Sequence, residues 1–246
     1  MTDAEDVTAG MVVIGDEILS GRTKDRNIGF VADTLAMIGI DLEEVRIVSD
    51  DQDRIVEAVN ALRERYTYVF TSGGIGPTHD DITADAVSAA FGRACIHDPR
   101  AMEILREAYA ARDIEFTDAR ARMARMPEGA ELIENSVSKA PGFRVENVHV
   151  MAGVPKIMQA MMGAVVPTLK GGRLMLSEDV DSPLPEGTLG GPLGDIQERH
   201  PETMIGSYPQ WGENGYRVQI VVRGKDEGAV KAAVTDVRAL VAEMGG

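Results

Sequence analysis

The densest chemistry in the chain lies in one stretch, Thr71-Ser72-Gly73-Gly74-Ile75-Gly76-Pro77-Thr78-His79-Asp80-Asp81-Ile82-Thr83. Tyr68-Val69-Phe70 before it reads as the end of a buried strand. Ile82–Phe91 after it reads as a helix, with Ile82, Ala86, Val87 and Ala90 on one face. Glycine lacks a Cβ, so the backbone of such a strand-to-helix turn can come close to a ligand. The helix that follows offers unpaired N–H groups and the positive end of its dipole, which together suit an anion, above all phosphate. Asp80 and Asp81 would repel that phosphate unless a cation lay between them. The pattern points to a phosphate-bearing ligand with a divalent metal such as Mg²⁺, which prefers oxygen ligands. The plainer alternative is that the two aspartates only cap the helix.

Two more apolar runs end in acids. Ala9–Ile14 leads into Gly15-Asp16-Glu17 and then Ser20-Gly21, and Leu42–Val48 leads into Ser49-Asp50-Asp51. Gly153-Val154-Pro155 forms another tight turn, with Pro155 suited to a first helical position. Between them lies an arginine- and methionine-rich section with Arg112, Arg120, Arg122, Arg125, Met123 and Met126. It is either a lid whose arginines meet phosphates or a solvated helix face. His97, His149 and His200 are scattered without metal-ligand spacing, and no nucleophile elbow accompanies His79. The turn after the first strand lacks the spaced glycines of a dinucleotide fingerprint. The sole cysteine, Cys95, sits in an Ala-Cys-Ile run that reads as a core strand rather than a catalytic site.

Composition narrows the partners. A formal net charge of −15 argues against a nucleic-acid or anionic-membrane surface. No apolar run suggests a membrane span. Met1–Asp6 is acidic and lacks the basic start of a leader. A single thiol excludes an internal disulfide and fits a reducing cytoplasm. The expected partner is a small molecule.

The elements that must position these residues alternate as strand and helix. Asn27–Ile38 is an amphipathic helix with Gly39 beyond its end, and Gln52–Arg65 is a second one. Such alternation predicts a parallel α/β sheet, whose ligands bind beyond the carboxyl ends of the strands. Pro99–Ala111 and Asp118–Met126 read as helices. Gly129–Asn135 and Val145–Met151 read as strands, joined by a hairpin around Lys139–Phe143, and the helix after Pro155 runs to about Leu169. Asp179–Gly194 reads as a linker or long loop rich in Gly, Pro, Asp and Ser. It precedes a helix from about Leu193 to His200, a strand over Met204–Tyr208, a half-buried antiparallel strand over Tyr216–Val222, and an amphipathic helix over Asp226–Met244. The expected division is residues 8–170 as one domain and 171–246 as a small α+β subdomain. The methionines of the Pro155 helix, Met158, Met161 and Met162, are either adaptable contact surface for a homo-oligomer or core.

Five spaced motifs in order carry a family resemblance: Gly15–Gly21, then Asn27, then Thr71–Thr78 with Asp81 and Thr83, then Ala140-Pro141-Gly142-Phe143, then Gly153-Val154-Pro155. The chain resembles the molybdopterin-binding (MoaB/Mog-type) family. An aliphatic Ile75 followed by Pro-Thr and paired Asp is most similar to the competence/damage-inducible protein A (CinA) branch. The resemblance covers about Ala9–Leu169, and Gly206-Ser207-Tyr208-Pro209 extends it into the tail. It implies a three-layer α/β/α fold, often oligomeric. It also implies Asp50 and Asp81 as metal-holding or catalytic residues, with Gly73, Gly74 and Gly76 as the phosphate turn. Gly15, Asp16, Glu17, Asn27, Ser72, Pro77, Thr78, Gly153 and Pro155 are further ligand-binding positions by the same motifs. The implied ligand is molybdopterin or an adenine nucleotide, with Mg²⁺ or another divalent cation. The implied activities are metal-dependent cleavage of dinucleotide pyrophosphates such as ADP-ribose or FAD, or adenylation of molybdopterin. A module that binds without turnover is the non-catalytic alternative. Longer relatives continue into a nicotinamide-nucleotide amidase domain, so that activity is expected to be absent.

Overall fold

The structure, a computed structural model, describes residues 6–212 and 215–245. Most of the acidic N-terminus weighed above for a leader, residues 1–5, lies outside the described residues. The chain divides into two compact units, with the boundary along the chain between Gly172 and Arg173.

The first unit opens with strand β1 (Val7–Ile14), a short helix α1 (Asp16–Leu19), helix α2 (Asn27–Ala36), strand β2 (Ile40–Val48), helix α3 (Gln52–Arg63), strand β3 (Tyr68–Ser72) and helix α4 (Thr83–Ala90). Next come β4 (Cys95–His97), α5 (Pro99–Ala110), α6 (Asp118–Ala121), a 3₁₀ turn over Arg122–Ala124 and β5 (Arg125–Pro127). The unit closes with β6 (Glu131–Ile133), β7 (Gly142–Val145), β8 (Val148–Met151), α7 (Pro155–Val165) and a 3₁₀ turn over Val166–Thr168. Six strands form one sheet in the order β2-β1-β3-β8-β7-β6. The first four run parallel, and β7 runs opposite to them, antiparallel to both β8 and β6.

Apolar side chains alternate across this sheet, as the pleat requires. Val12, Ile14, Val69, Val148 and Val150 pack against Ile55 and Val59 of α3, Val87 of α4 and Leu105 of α5. Met11, Val13, Phe70 and Met151 pack on the other face against Val31 and Leu35 of α2 and Met158, Met161 and Met162 of α7. Burial on both faces is why these strands read as near-continuous apolar runs. The result is three layers, α/β/α. The three α7 methionines are at most 1% exposed, so they are core and supply no oligomer contact.

Three local expectations are corrected. Val145–Met151 is not one strand: Glu146 takes φ 52° and, with Asn147, turns β7 back into β8. Helix α6 stops at Ala121, and Arg125–Pro127 pairs with Cys95–His97 in a separate two-stranded sheet. Cys95 is therefore only partly buried, and outside the main sheet.

The second unit holds β9 (Leu176–Ser182), α8 (Glu186–Arg199), β10 (Thr203–Gly212), β11 (Gly215–Gly224) and α9 (Glu227–Glu243). Its sheet is antiparallel, in the order β10-β11-β9. Val218, Ile220 and Val222 of β11 pack against Leu189, Leu193 and Ile196 of α8 and Val230, Val234 and Val237 of α9. The predicted Asp179–Gly194 linker is overturned: it is most of a strand and more than half of a helix. Helix α8 carries Gly187, Gly190, Gly191, Gly194 and Pro192, and Pro192 lies inside it. Burial of Leu189 and Leu193 overrides those weak propensities.

Candidate functional site

The carboxyl ends of β1, β3 and β8 open on one cavity of about 560 Å³. That size lies within the ordinary range for small-molecule pockets. The glycine turn forms one wall with Gly73, Gly74, Gly76 and Pro77. Gly15 and Glu17 come from the turn after β1, Asp50 from the end of β2, and Gly153 and Pro155 from the turn after β8. The strand-end turns picked out by composition are thus adjacent in space.

The glycine turn is built by its own packing. Gly73 takes φ 111°, and a Cβ there would collide with the Ile14 carbonyl. Gly74 takes φ 68°, and a Cβ would collide with the Thr83 hydroxyl. That hydroxyl donates to the Gly73 carbonyl at 3.0 Å, and the Thr83 N–H donates to the Gly74 carbonyl at 3.0 Å. Gly73 N–H reaches the Met151 carbonyl at 3.1 Å, joining the turn to β8.

Each acidic pair divides its labour. Asp51 caps α3 by accepting from Arg54 N–H at 3.0 Å. Asp50 faces the cavity instead and accepts from the Asp16 backbone N–H at 2.9 Å. Burial raises the Asp50 carboxyl above the usual aspartate range, and the neighbouring acids Asp16, Glu17 and Asp80 push the same way, against the Asp16 N–H bond. Neither Asp80 nor Asp81 caps α4, whose N-cap is Ile82 without a side-chain bond. Asp81 Oδ2 accepts from the Thr78 N–H at 2.8 Å and the Thr78 hydroxyl at 2.5 Å, closing a turn over His79 and Asp80. Asp80 also borders the cavity, and its carboxyl is held low chiefly by the Thr78 hydroxyl.

Four predicted positions, Asp16, Asn27, Ser72 and Thr78, do not line the main cavity. Asn27, 4% exposed, donates through Nδ2 to Ser72 Oγ at 2.7 Å and to the Gly153 carbonyl at 2.8 Å. It ties the ends of β3 and β8 together beside a smaller cavity of about 60 Å³. Asn27 Oδ1 is buried without a partner. Ser72 lies at that smaller cavity, Thr78 acts through Asp81, and Asp16 contributes its backbone N–H.

Sequence reasoning marked the far wall only at Ala140, within the Ala140-Pro141-Gly142-Phe143 motif, and missed Asn135 and Ser138. Asn135, Ser138 and Ala140 border the main cavity from the loop between β6 and β7, with Met123 and Met161 beside them. Asn135 organises that loop: Oδ1 accepts from Val137 and Ser138 N–H groups, and Nδ2 donates to Ser138 Oγ and the Ala140 carbonyl. The available signal was Asn135 followed by Ser136, since an Asn side chain commonly bonds the backbone two residues on. Two arginines of the arginine-rich section are engaged locally. Arg125 pairs with Asp85 and Arg122 bonds the glycine-turn backbone.

Among the described residues, no group of three or more His, Cys, Asp or Glu side chains is placed to hold a metal ion by itself. The donor set suits a cation that arrives with phosphate. Mg²⁺ is commonly held by one or two carboxylates plus substrate phosphates. Asp50 and Asp81 each commit one oxygen to a backbone N–H and keep the other. Burial raises the Cys95 thiol pKa, which makes it a poor nucleophile.

The family described as "Probable molybdopterin binding domain" matches residues 10–171, and "FAD synthase, middle domain" matches residues 174–245. A protein of Aeropyrum pernix is 34% identical over 97% of this chain and 95% of its own length. A CinA-like protein of Thermomicrobium roseum is 30% identical over 96% of this chain, but only 60% of that longer protein is covered. The crystal structure of the protein CinA with unknown function from Thermoplasma acidophilum aligns with a TM-score of 0.62 at 32% identity. That alignment covers 67% of this chain and 99% of that one. With its sheet order, its glycine turn and these relatives all in agreement, the chain belongs to the CinA-like branch of the molybdopterin-binding (MoaB/Mog-type) domain family.

Proposed function

We propose that the main cavity takes a pyrophosphate ligand of the pterin or adenine-nucleotide type, and that the chain cleaves the pyrophosphate in a metal-dependent reaction. The observation that carries this reading is the meeting of Asp50, Asp80 and Asp81 with a glycine turn on one cavity. Carboxylates that border one cavity with a phosphate-binding turn favour a cation between them and the phosphate, and the turn favours phosphate. The ring of the ligand has the apolar walls of Ile75, Met123, Ile157 and Met161 to lie against. The backbone amides of the turn orient the phosphates, and Asp50 and Asp81 hold the cation. When bound, the divalent ion neutralises charge developing on the phosphate oxygens. The match of residues 174–245 to a FAD synthase domain supports a dinucleotide over a free pterin.

The test is AMP release from ADP-ribose, FAD, NADH and ATP with Mg²⁺, Mn²⁺ or Co²⁺. Turnover that requires the metal supports cleavage. A second reading, a module that binds without turnover, draws on the lack of a preformed three-ligand metal site among the described residues. Saturable ligand binding with no product under any metal would establish it instead.

A further inference from the structure

The turn that carries Asp80 and Asp81 is exposed, and few bonds hold it. Residues 77–80 are all exposed. Among the described residues, the only hydrogen bonds that reach residues 77–82 from outside the stretch 73–86 come from Arg122. Arg122 Nε donates to the Thr78 carbonyl at 3.2 Å, and Nη2 donates to the Asp81 carbonyl at 3.3 Å. One guanidinium therefore holds both ends of the turn whose own closure is the Thr78–Asp81 bond. An arginine fork spans two carbonyls in a fixed geometry that an ammonium group cannot copy.

The base of this clamp is itself fixed. Arg122 opens the 3₁₀ turn Arg122–Ala124. Ala124 is fully buried, and its carbonyl accepts from the Asp98 N–H at 2.9 Å. Arg125 just beyond pairs with Asp85 in the first turn of α4. Met123 of the same turn borders the main cavity. The segment that shapes one wall of the cavity thus also fastens the loop that carries its acids.

We infer that Arg122 is a positioning residue for the site: it fixes the Thr78–Asp81 turn so that Asp80 and Asp81 face a cation and phosphate in one arrangement. This rests on the phosphate-and-cation reading of the cavity. Arg122 does not itself touch the ligand in this role. Its two bonds go to backbone carbonyls, and its effect passes through the carboxylates. Loss of the clamp leaves the cavity walls and the glycine amides in place and loosens only the acids. The affected quantities are metal affinity and the rate constant, with little change in the grip on the ring.

The experiment compares the full chain with Arg122→Ala, Arg122→Lys and, as a control in the same segment, Arg120→Ala, whose guanidinium bonds the Glu115 carbonyl and not the turn. Amide exchange over residues 77–82, Mn²⁺ titration with ADP as the co-ligand, and kcat and KM for ADP-ribose are measured. Arg122→Ala is expected to speed exchange selectively at 77–82 and to weaken Mn²⁺ binding by about tenfold. It should lower kcat by about tenfold with KM within about threefold, an unequal split that general unfolding does not give. Arg122→Lys should resemble Ala, because it keeps the charge and loses the fork. Unchanged exchange at 77–82 would overturn the inference, as would equal loosening there in Arg120→Ala. Full recovery of Mn²⁺ affinity in Arg122→Lys would also overturn it, since charge alone would then suffice. A wild-type chain that binds ADP and Mn²⁺ without turning over any pyrophosphate would end the enzymatic reading and leave exchange and Mn²⁺ binding to decide the role of Arg122.

Discussion

Asp50 and Asp81 look equivalent as carboxylates but are held differently. Asp81 closes a turn through Oδ2, whereas Asp50 is partly buried among other acids. Asparagine keeps the acceptor that each needs, so both Asp→Asn variants should fold. Each is expected to lose metal-dependent turnover by roughly a hundredfold, a barrier increase of about 2.7 kcal/mol. The double variant should be little worse than either single if both hold the same ion. Turnover with and without Mg²⁺ checks this, and full activity in Asp81→Asn would reduce that residue to a turn-closing role. Gly74→Val is expected to abolish ligand binding, for a reason the sequence could not supply. The collision is with the Thr83 hydroxyl at positive φ rather than with a ligand, so the variant should also melt earlier. At this scale the sequence showed which residues gather but not how each pair divides. Asp51 and Asp50 are adjacent and chemically identical. Only the direction of the chain leaving β2 makes one a helix cap and the other a cavity wall.

Elements were legible where periodicity was strong and failed where two signals conflicted. The strand-helix alternation of the first ninety or so residues gave the parallel core, because strands buried on both faces and amphipathic helices differ in pattern. Helix α8 was foreseen only from about Leu193, because its first half holds Gly187, Gly190, Gly191 and Pro192, which outweighed the spacing of Leu189 with Leu193 and Ile196. The β7–β8 turn was missed because Glu146 and Asn147 carry no glycine to mark it. Strand β8 hides a further feature. His149 is 1% exposed, stacked on Phe70 with centroids 5.2 Å apart and edge-on to Tyr68 at 5.9 Å. Neither ring nitrogen has a hydrogen-bond partner. Burial first, then nearby Arg144, lowers its pKa from 6.5 to about 4, with Glu131 and weak backbone contacts at Val69 and Asn147 opposing. The folded pKa of this base lies below its unfolded value, so the unfolded chain binds the proton first. Its stabilising effect is complete above pH 6.5 and falls as pH drops from 6.5 to 4, by up to about 3 kcal/mol. His149→Phe should flatten this part of the pH profile of the urea midpoint. Parallel profiles for wild type and variant would refute the role of His149.

At the scale of the whole molecule, two cores replace the single large one that the chain length allows. The first combines the two faces of the six-stranded sheet, and the second gathers β11 with α8 and α9. Each apolar cluster closes within one unit, which is the condition for folding alone. The negative charge fits this picture as a solubility feature, since the site needs only local amides and a cation to meet an anion. An oligomer built on the α7 methionines is excluded by their burial, so any self-association must use another surface. The linker expected at Asp179–Gly194 is excluded as well, because β9 and α8 occupy it. The weak point moves to the irregular stretch between Thr168 and Leu176, which contains Lys170 and Arg173. Trypsin under native conditions is expected to cut there first and to spare α8, even though Arg199 lies at its end. The two fragments should each retain helical circular dichroism, and each should melt cooperatively after separation. The smaller fragment has one buried face of three strands and two helices, so it should melt at the lower temperature. First cuts inside α8 or β9, or a small fragment without cooperative melting, would show that the second unit depends on the first for its fold.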